Sequence, residues 1–241
     1  MTRKDEAALE EREQYVQDLF RRVAPRYDFL NRLLSFRRDV AWRRFTARQA
    51  GLGPGGSVLD VATGTGDLAF DLAAVVGREG RVVGLDLTEE MLVRARRKAD
   101  KLGLGDVCTF VQGNALDLPF GENEFDAATI AFGLRNVVDR ERCLLEMKRV
   151  VRPGGRVLVL EFSRPVWPVF RQVYLLYFRY VLPWIGRLIQ GDPDTYRYLP
   201  ETVLAFPDQE ALAAMMRELG FRNVRYHNLT GGICALHIGE V

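Results

Sequence analysis

The stretch Val58-Leu-Asp-Val-Ala-Thr-Gly-Thr-Gly-Asp67 constrains this chain most. A short apolar run meets a glycine turn, and a helical pattern follows over 66–76. Strand, turn and helix in that order aim backbone N–H groups at a ligand, and Gly64 and Gly66 admit it closely because they carry no Cβ. Asp86 stands twenty residues beyond Gly66, just past a second apolar run. A carboxylate there can accept two hydrogen bonds from a ribose diol.

The same alternation continues down the chain. Strands are predicted at Val58–Val61, Arg81–Leu85, Val107–Val111, Phe125–Phe132 and Arg156–Phe162, with helices over 88–102 and 139–150 and a turn at Arg152-Pro-Gly-Gly. Strands alternating with helices make an α/β fold with a parallel sheet covered on both faces. After a helix over 208–219, strands at Val224–Asn228 and Ile233–Ile238 are joined only by Leu229-Thr-Gly-Gly. So short a link cannot make a crossover, so the pair is an antiparallel hairpin and the last strand is reversed. Upstream, 1–50 reads as a helical cap and 51–241 as the main domain, entered through the Gly51–Gly56 run. Val16, Leu19, Phe20 and Val23 share one helical face in the predicted helix 5–24.

Composition excludes several classes. The 241 residues carry 34 Lys+Arg against 32 Asp+Glu, too balanced for a surface that tracks nucleic acid. Cys108, Cys143 and Cys234 are widely spaced, which suits neither a disulfide framework nor a zinc site, and no metal is expected. A charged N-terminus and the lack of an apolar run of about 18 residues predict a cytoplasmic protein. Between Arg21 and Arg48 lie nine arginines and two acids, either solvated helix faces or a surface that meets anionic lipid. The aromatics from Trp167 to Trp184 are either core or, within 166–199, a lid over an apolar substrate. His227 and His237 read as structural.

Gly64-x-Gly66-x-x-Ala69 with Asp86 also satisfies a dinucleotide fingerprint, so an NAD-dependent oxidoreductase is the alternative from another class. Asn114-Ala-Leu-Asp-Leu-Pro-Phe120 after the third strand, Glu122-Asn-Glu-Phe-Asp126 before the fourth, and the reversed last strand favour S-adenosylmethionine instead. Asn114 offers an amide to adenine edges. More specific pieces are Arg26-Tyr-Asp-Phe-Leu-Asn31, Leu34-Ser-Phe36, Phe132-Gly-Leu-Arg-Asn-Val137, Leu160-Glu-Phe-Ser163, Asp194-Thr-Tyr-Arg-Tyr-Leu199 and Thr230-Gly-Gly-Ile-Cys-Ala-Leu-His237. On these the chain resembles the UbiE/MenG/COQ5 family of class I quinone C-methyltransferases.

The resemblance implies a Rossmann-like, mostly parallel seven-stranded sheet and S-adenosyl-L-methionine as cofactor. It implies cofactor contacts at Thr65, Asp86, Asn114 and Ala115, beside Gly64 and Gly66 of the turn. Ala131 stands where some members have Ser, so a hydroxyl contact there is missing. The implied substrate is a prenylated quinol, demethylmenaquinol, with a polyprenyl benzoquinol as the rival. Peripheral contact with membrane lipid goes with such a substrate, and a homodimer is left open. Arg135 is expected to stabilise the phenolate, with Asn136 or Tyr196 orienting a water that takes the proton. The competing role for Arg135 is a salt bridge to a strand-end carboxylate.

Overall fold

The computed structural model describes residues 35–167 and 202–241, with 14, 16–19, 21, 22, 24, 28, 32 and 172. The expected Arg26–Asn31 and Asp194–Leu199 motifs therefore lie largely outside the described residues, as do Tyr196 and most of the 166–199 segment.

Helix α1 (Arg38–Gln49) precedes an alternation of β1 (Ser57–Val61), α2 (Asp67–Val76), β2 (Arg81–Asp86), α3 (Glu89–Leu102) and β3 (Cys108–Gln112). Then come β4 (Phe125–Ala131), α4 (Arg140–Val150), β5 (Val151–Phe162), α5 (Gln209–Glu218), β6 (Arg222–Leu229) and β7 (Cys234–Glu240). The sheet order is β3-β2-β1-β4-β5-β7-β6. Strands β1 to β5 are parallel, and β7 runs antiparallel to both β5 and β6. The reversed final strand and its hairpin are thus present as expected.

Both faces of the sheet are buried, and successive side chains enter different cores. Val58 packs with Leu68, Leu72 and Leu92 on the α2–α3 side, whereas Leu59 and Val61 pack with Leu144, Met147 and Leu212 on the α4–α5 side. Chain order reverses direction between β1 and β4. The loops leaving their carboxyl ends diverge there and leave a crevice for a ligand. Gly133 keeps those loops close, since a Cβ on it would sit 2.6 Å from the Ala62 Cβ.

One expected turn is absent. Arg152-Pro-Gly-Gly lies inside β5, because the chain end pairs with it: Gly154 N–H donates to the Val241 carbonyl (2.8 Å) and Val241 N–H to Gly155 (3.0 Å). The irregularity survives as a register shift between Phe125 and Ala127. Helix α1 runs antiparallel to β5. Its last carbonyls face Arg156, and Trp42 reaches the other end, where its indole N–H donates to Thr230 Oγ1 (3.0 Å) and its ring meets Phe132 and Phe162.

Candidate functional site

The glycine turn after β1 takes its shape from three left-handed residues, Ala62, Gly64 and Gly66. Beneath it the buried Asp60 accepts from the hydroxyls of Thr63 (2.6 Å) and Thr129 (2.7 Å), fastening the turn to β4. Burial pushes the Asp60 carboxyl up to about 6, against those two hydrogen bonds and the charge of Arg43.

Asp86 closes β2 and faces this turn. One carboxylate oxygen accepts the Gly64 N–H (2.8 Å) and the other the Thr88 N–H (2.9 Å), so two backbone donors fix its plane. Burial raises its pKa, opposed by those donors. The Thr88 hydroxyl and the Leu87 backbone also favour the charged form of Asp86.

A cavity of about 770 Å3, part of it open to solvent, extends from this carboxylate between the strand ends. Gly64 and Asp86 form one end, Asn114 and Ala115 a side wall, and Phe132 and Asn136 line the part nearer β4. Leu85, Met91, Val137 and Val138 make the walls chiefly apolar. Val16 and Gln17 of the N-terminal segment also line it. Gln17 Nε2 reaches the Leu87 carbonyl (3.5 Å) and Arg21 pairs with Glu90 (2.8 Å), which lays that segment along the start of α3.

Three expected site residues lie outside the cavity lining. Thr65 donates its hydroxyl to Asp28 (2.5 Å) and accepts from Lys98 (2.9 Å). Lys98 in turn pairs with Asp28 (2.6 Å) and Asp67 (2.7 Å). The hydroxyl therefore ties the turn to the N-terminal segment and α3. Gly66 is required by packing: at φ +86° it starts α2, and a Cβ there would meet the Phe70 ring at 2.8 Å.

Arg135 is the third. It sits in a single turn of 3-10 helix, only 7% exposed, and its Nη1 donates to Glu161 (2.7 Å) and to the Phe132 carbonyl (2.5 Å). The guanidinium carbon lies 5.4 Å from the centre of the Phe162 ring. Glu161, at 1% exposure, also accepts the backbone N–H groups of Arg135 (3.3 Å) and Phe162 (2.8 Å). The strand-end salt bridge weighed from sequence exists. Even so, the buried Arg135 Nε has no hydrogen-bond partner, a donor left over where one is expensive to waste.

Glu161 and Asp60 were missed as site residues although both announce themselves. Each is a lone acid inside an apolar strand, and a buried charge demands a partner. His237 fits the structural reading: its Nε2 shares a hydrogen bond with the Gln209 carbonyl (2.8 Å), and burial lowers its pKa to about 4. Among the described residues, no group of three or more His, Cys, Asp or Glu side chains could hold a metal ion.

The sequence matches the ubiE/COQ5 methyltransferase family over residues 8–240. The chain belongs to that family. It is 48% identical over 232 residues to the ubiquinone/menaquinone biosynthesis C-methyltransferase UbiE of Serratia proteamaculans, covering 96% of this chain and 92% of that one. The protein of the same name from Cronobacter sakazakii is 47% identical with the same coverage. Among solved structures, a SAM-dependent methyltransferase from Aquifex aeolicus superposes with a TM-score of 0.59 at 24% identity, over 80% of this chain and 85% of that one. Phosphoethanolamine N-methyltransferase 2 of Haemonchus contortus, in complex with S-adenosyl-L-methionine, gives 0.60 at 15% identity, over 82% and 51%. The fold is that of the class I methyltransferases, and family membership makes the chain an S-adenosylmethionine-dependent methyltransferase. The nicotinamide alternative falls with it.

The residues present fit this cofactor. A fixed carboxylate stands at one end of an apolar slot, an Asn amide stands on its wall, and among the described residues no basic side chain lines it.

Proposed function

We propose that the protein methylates a ring carbon of demethylmenaquinol, giving menaquinol. The observation that carries this reading is the chiefly apolar cavity leading from Asp86 to Phe132, Val137 and Val138, beside the half-satisfied cation Arg135. S-adenosylmethionine supplies an already electrophilic methyl group. The protein's tasks are therefore to bind, to align and to make the ring carbon nucleophilic.

Asp86 and Gly64 hold the nucleoside sugar, and Asn114 with Ala115 the base. Arg135 favours the deprotonated quinol: a nearby positive charge lowers a phenolic pKa from about 10. Guanidinium stays protonated in proteins, so it acts by electrostatics, and Asn136 orients the water that receives the proton. Holding the two carbons in line is worth roughly 7–11 kcal/mol, which makes closure by the N-terminal segment matter more than any single acid or base.

The prenyl tail calls for an apolar exit. Phe36 (76% exposed) adjoins the exposed Arg37 and Arg38 in the chain, and the exposed Val166 and Trp167 (66%) follow the exposed Arg164, which donates to the Leu204 carbonyl (3.1 Å). That mixture suits peripheral contact with anionic lipid. Among the described residues no helix is long and apolar enough to cross a membrane.

The test is transfer of labelled methyl from S-adenosylmethionine to a reduced short-tail naphthoquinone lacking the ring methyl. Label in the naphthoquinol is the expected result. The relatives' names carry both quinones, so a methoxy-benzoquinol is assayed in parallel. Label there alone would replace the naphthoquinol assignment, and transfer to neither would remove the quinol reading.

A further inference from the structure

The cavity's base-side wall has no strand to lean on. Asn114 and Ala115 begin the loop after β3, which is an edge strand paired only with β2. Within the loop, Asn114 Oδ1 accepts the Leu116 N–H (2.9 Å), the Asn114 carbonyl accepts the Asp117 N–H (3.2 Å) and the Leu118 carbonyl accepts the Phe120 N–H (2.8 Å). The Leu116 and Phe120 carbonyls and the Leu118 N–H take their partners from outside the loop.

Helix α4 provides them. Arg142 Nε donates to the Leu116 carbonyl (2.7 Å). Glu146 Oε2 accepts the Leu118 N–H (2.8 Å). Arg149 donates to the carbonyls of Leu118 (3.0 Å) and Phe120 (2.8 Å). Residues 142, 146 and 149 share one helix face, and they meet in order the turn and bends that follow β3 at 116, 118 and 120. One helix face thus stands in for the missing neighbouring strand.

The clamp is itself locked. Arg149 Nε and Nη2 grip both oxygens of Glu146 (2.8 and 2.7 Å), a bidentate pair that fixes both side chains. Arg149 holds the Glu146 pKa below the ordinary value, helped by the Leu118 N–H. Asp139 caps α4 by accepting the Arg142 N–H (2.9 Å), which fixes where the row begins.

The geometry points to Arg142, Glu146 and Arg149 as positioning residues that set the base-side wall at Asn114 and Ala115 and so tune cofactor affinity. None of the three lines the cavity. The inference rests on the cofactor site proposed above and assigns that site three distant determinants. Their contacts go to backbone groups of Leu116, Leu118 and Phe120, so a change in them shifts the wall without altering any cavity-lining side chain.

The experiment uses the full chain with Glu146→Gln, Arg149→Met and Arg149→Lys. Calorimetry gives the Kd for S-adenosylhomocysteine, and steady-state assays give KM for S-adenosylmethionine and kcat. Hydrogen exchange reports the amides of 116–120. The expected result is a rise in Kd and KM of roughly five- to fiftyfold for Arg149→Met, which removes bonds from a charged donor, with kcat within about twofold. Faster exchange should be confined to 116–120, and Arg149→Lys, which keeps the charge but not the fork, should fall between. Kd within twofold of wild type in every variant would overturn the inference, as would kcat and KM deteriorating together with faster exchange across the whole sheet. Failure of the unaltered protein to bind S-adenosylhomocysteine would instead overturn the cofactor site, and the clamp with it.

Discussion

Arg135 carries two readings that one thermodynamic cycle separates. The variants are Arg135→Met, Glu161→Gln and both together. Each single change leaves a buried group without its counterpart, because the two side chains are 8% and 2% exposed and joined at 2.7 Å. Breaking a buried ion pair from one side costs about 3–5 kcal/mol, most of it the penalty of an unpaired charge. Removing both charges removes that penalty. Gln at 161 keeps an oxygen for the N–H groups of Arg135 and Phe162, and the Phe132 carbonyl keeps the Asn136 amide (3.4 Å). The double variant should therefore return to within about 1 kcal/mol of wild type in urea unfolding, as ion pairs replaced by uncharged groups often do.

Turnover should not follow stability. If the guanidinium lowers the quinol pKa by about two to three units, its loss cuts the deprotonated fraction and hence kcat by about 10²–10³. Arg135→Met and the double variant should share that loss, and Glu161→Gln should keep most of its turnover because the cation remains. Affinity for S-adenosylhomocysteine should be nearly unchanged throughout, since Arg135 does not line the cavity. The assay is labelled methyl transfer well below the melting temperature of the weakest variant. A double variant that regains both stability and turnover would refute the electrostatic role and leave Arg135 a strut.

Other consequences are simpler to check. Asp86→Ala should weaken S-adenosylhomocysteine binding by about 1.5–3 kcal/mol, typical of hydrogen bonds to a charged group, and calorimetry that finds less than a twofold change in Kd would exclude the sugar contact. Asp60, with its folded-state pKa raised to about 6 from 3.8, binds a proton more tightly folded than unfolded. Its burden is absent well below pH 4, grows as pH rises to about 6 and is complete above, reaching about 3 kcal/mol. Asp60→Asn should therefore gain stability over wild type at pH 7.5 and lose most of that advantage by pH 4.5; an equal difference at both values would mean the carboxylate is not strained by burial. Phe36→Ser with Trp167→Ser should reduce co-sedimentation with vesicles containing phosphatidylglycerol while leaving methyl transfer to a tail-less quinol unchanged, and equal sedimentation of variant and wild type would remove the lipid contact.

What was legible in the sequence follows from the range of the forces involved. Strand and helix positions, the reversed hairpin and the places of Gly64 and Asp86 depend on local periodicity and on a fixed distance along the chain. Side-chain direction within the turn does not. Thr65 and Gly66 sit in the right loop but serve Asp28, Lys98 and Phe70, because neighbouring turn residues point to different sides of the chain. Lys98, the hub of that ion cluster, lies 31 to 33 residues from Thr65 and Asp67, too far along the chain for local pattern to join them. Arg152-Pro-Gly-Gly has every local mark of a turn, yet pairing with Val241, 86 to 89 positions away, keeps it in the strand. Glu161 is separated from Arg135 by a strand and a helix, so only the oddity of an acid amid Val157–Phe162 betrayed the pair.

The distribution of these charges has a common logic. Asp86 lines the cavity where the sugar is proposed to bind, with Asp60 buried nearby, and Arg135 with Glu161 is buried behind Phe132, while Leu85, Met91, Val137 and Val138 make the lining chiefly apolar. The proposed transfer joins a cationic sulfonium to an anionic phenolate and yields two uncharged products. Water stabilises the separated charges more than the spread-out transition state, so an apolar middle favours the reaction and charged ends secure the binding. A lining cation or carboxylate in the middle would stabilise one reactant at the expense of the transfer. On this view the guanidinium is held out of the lining by Glu161 for a reason: it must be near enough to favour the phenolate and too well anchored to follow the methyl group's charge.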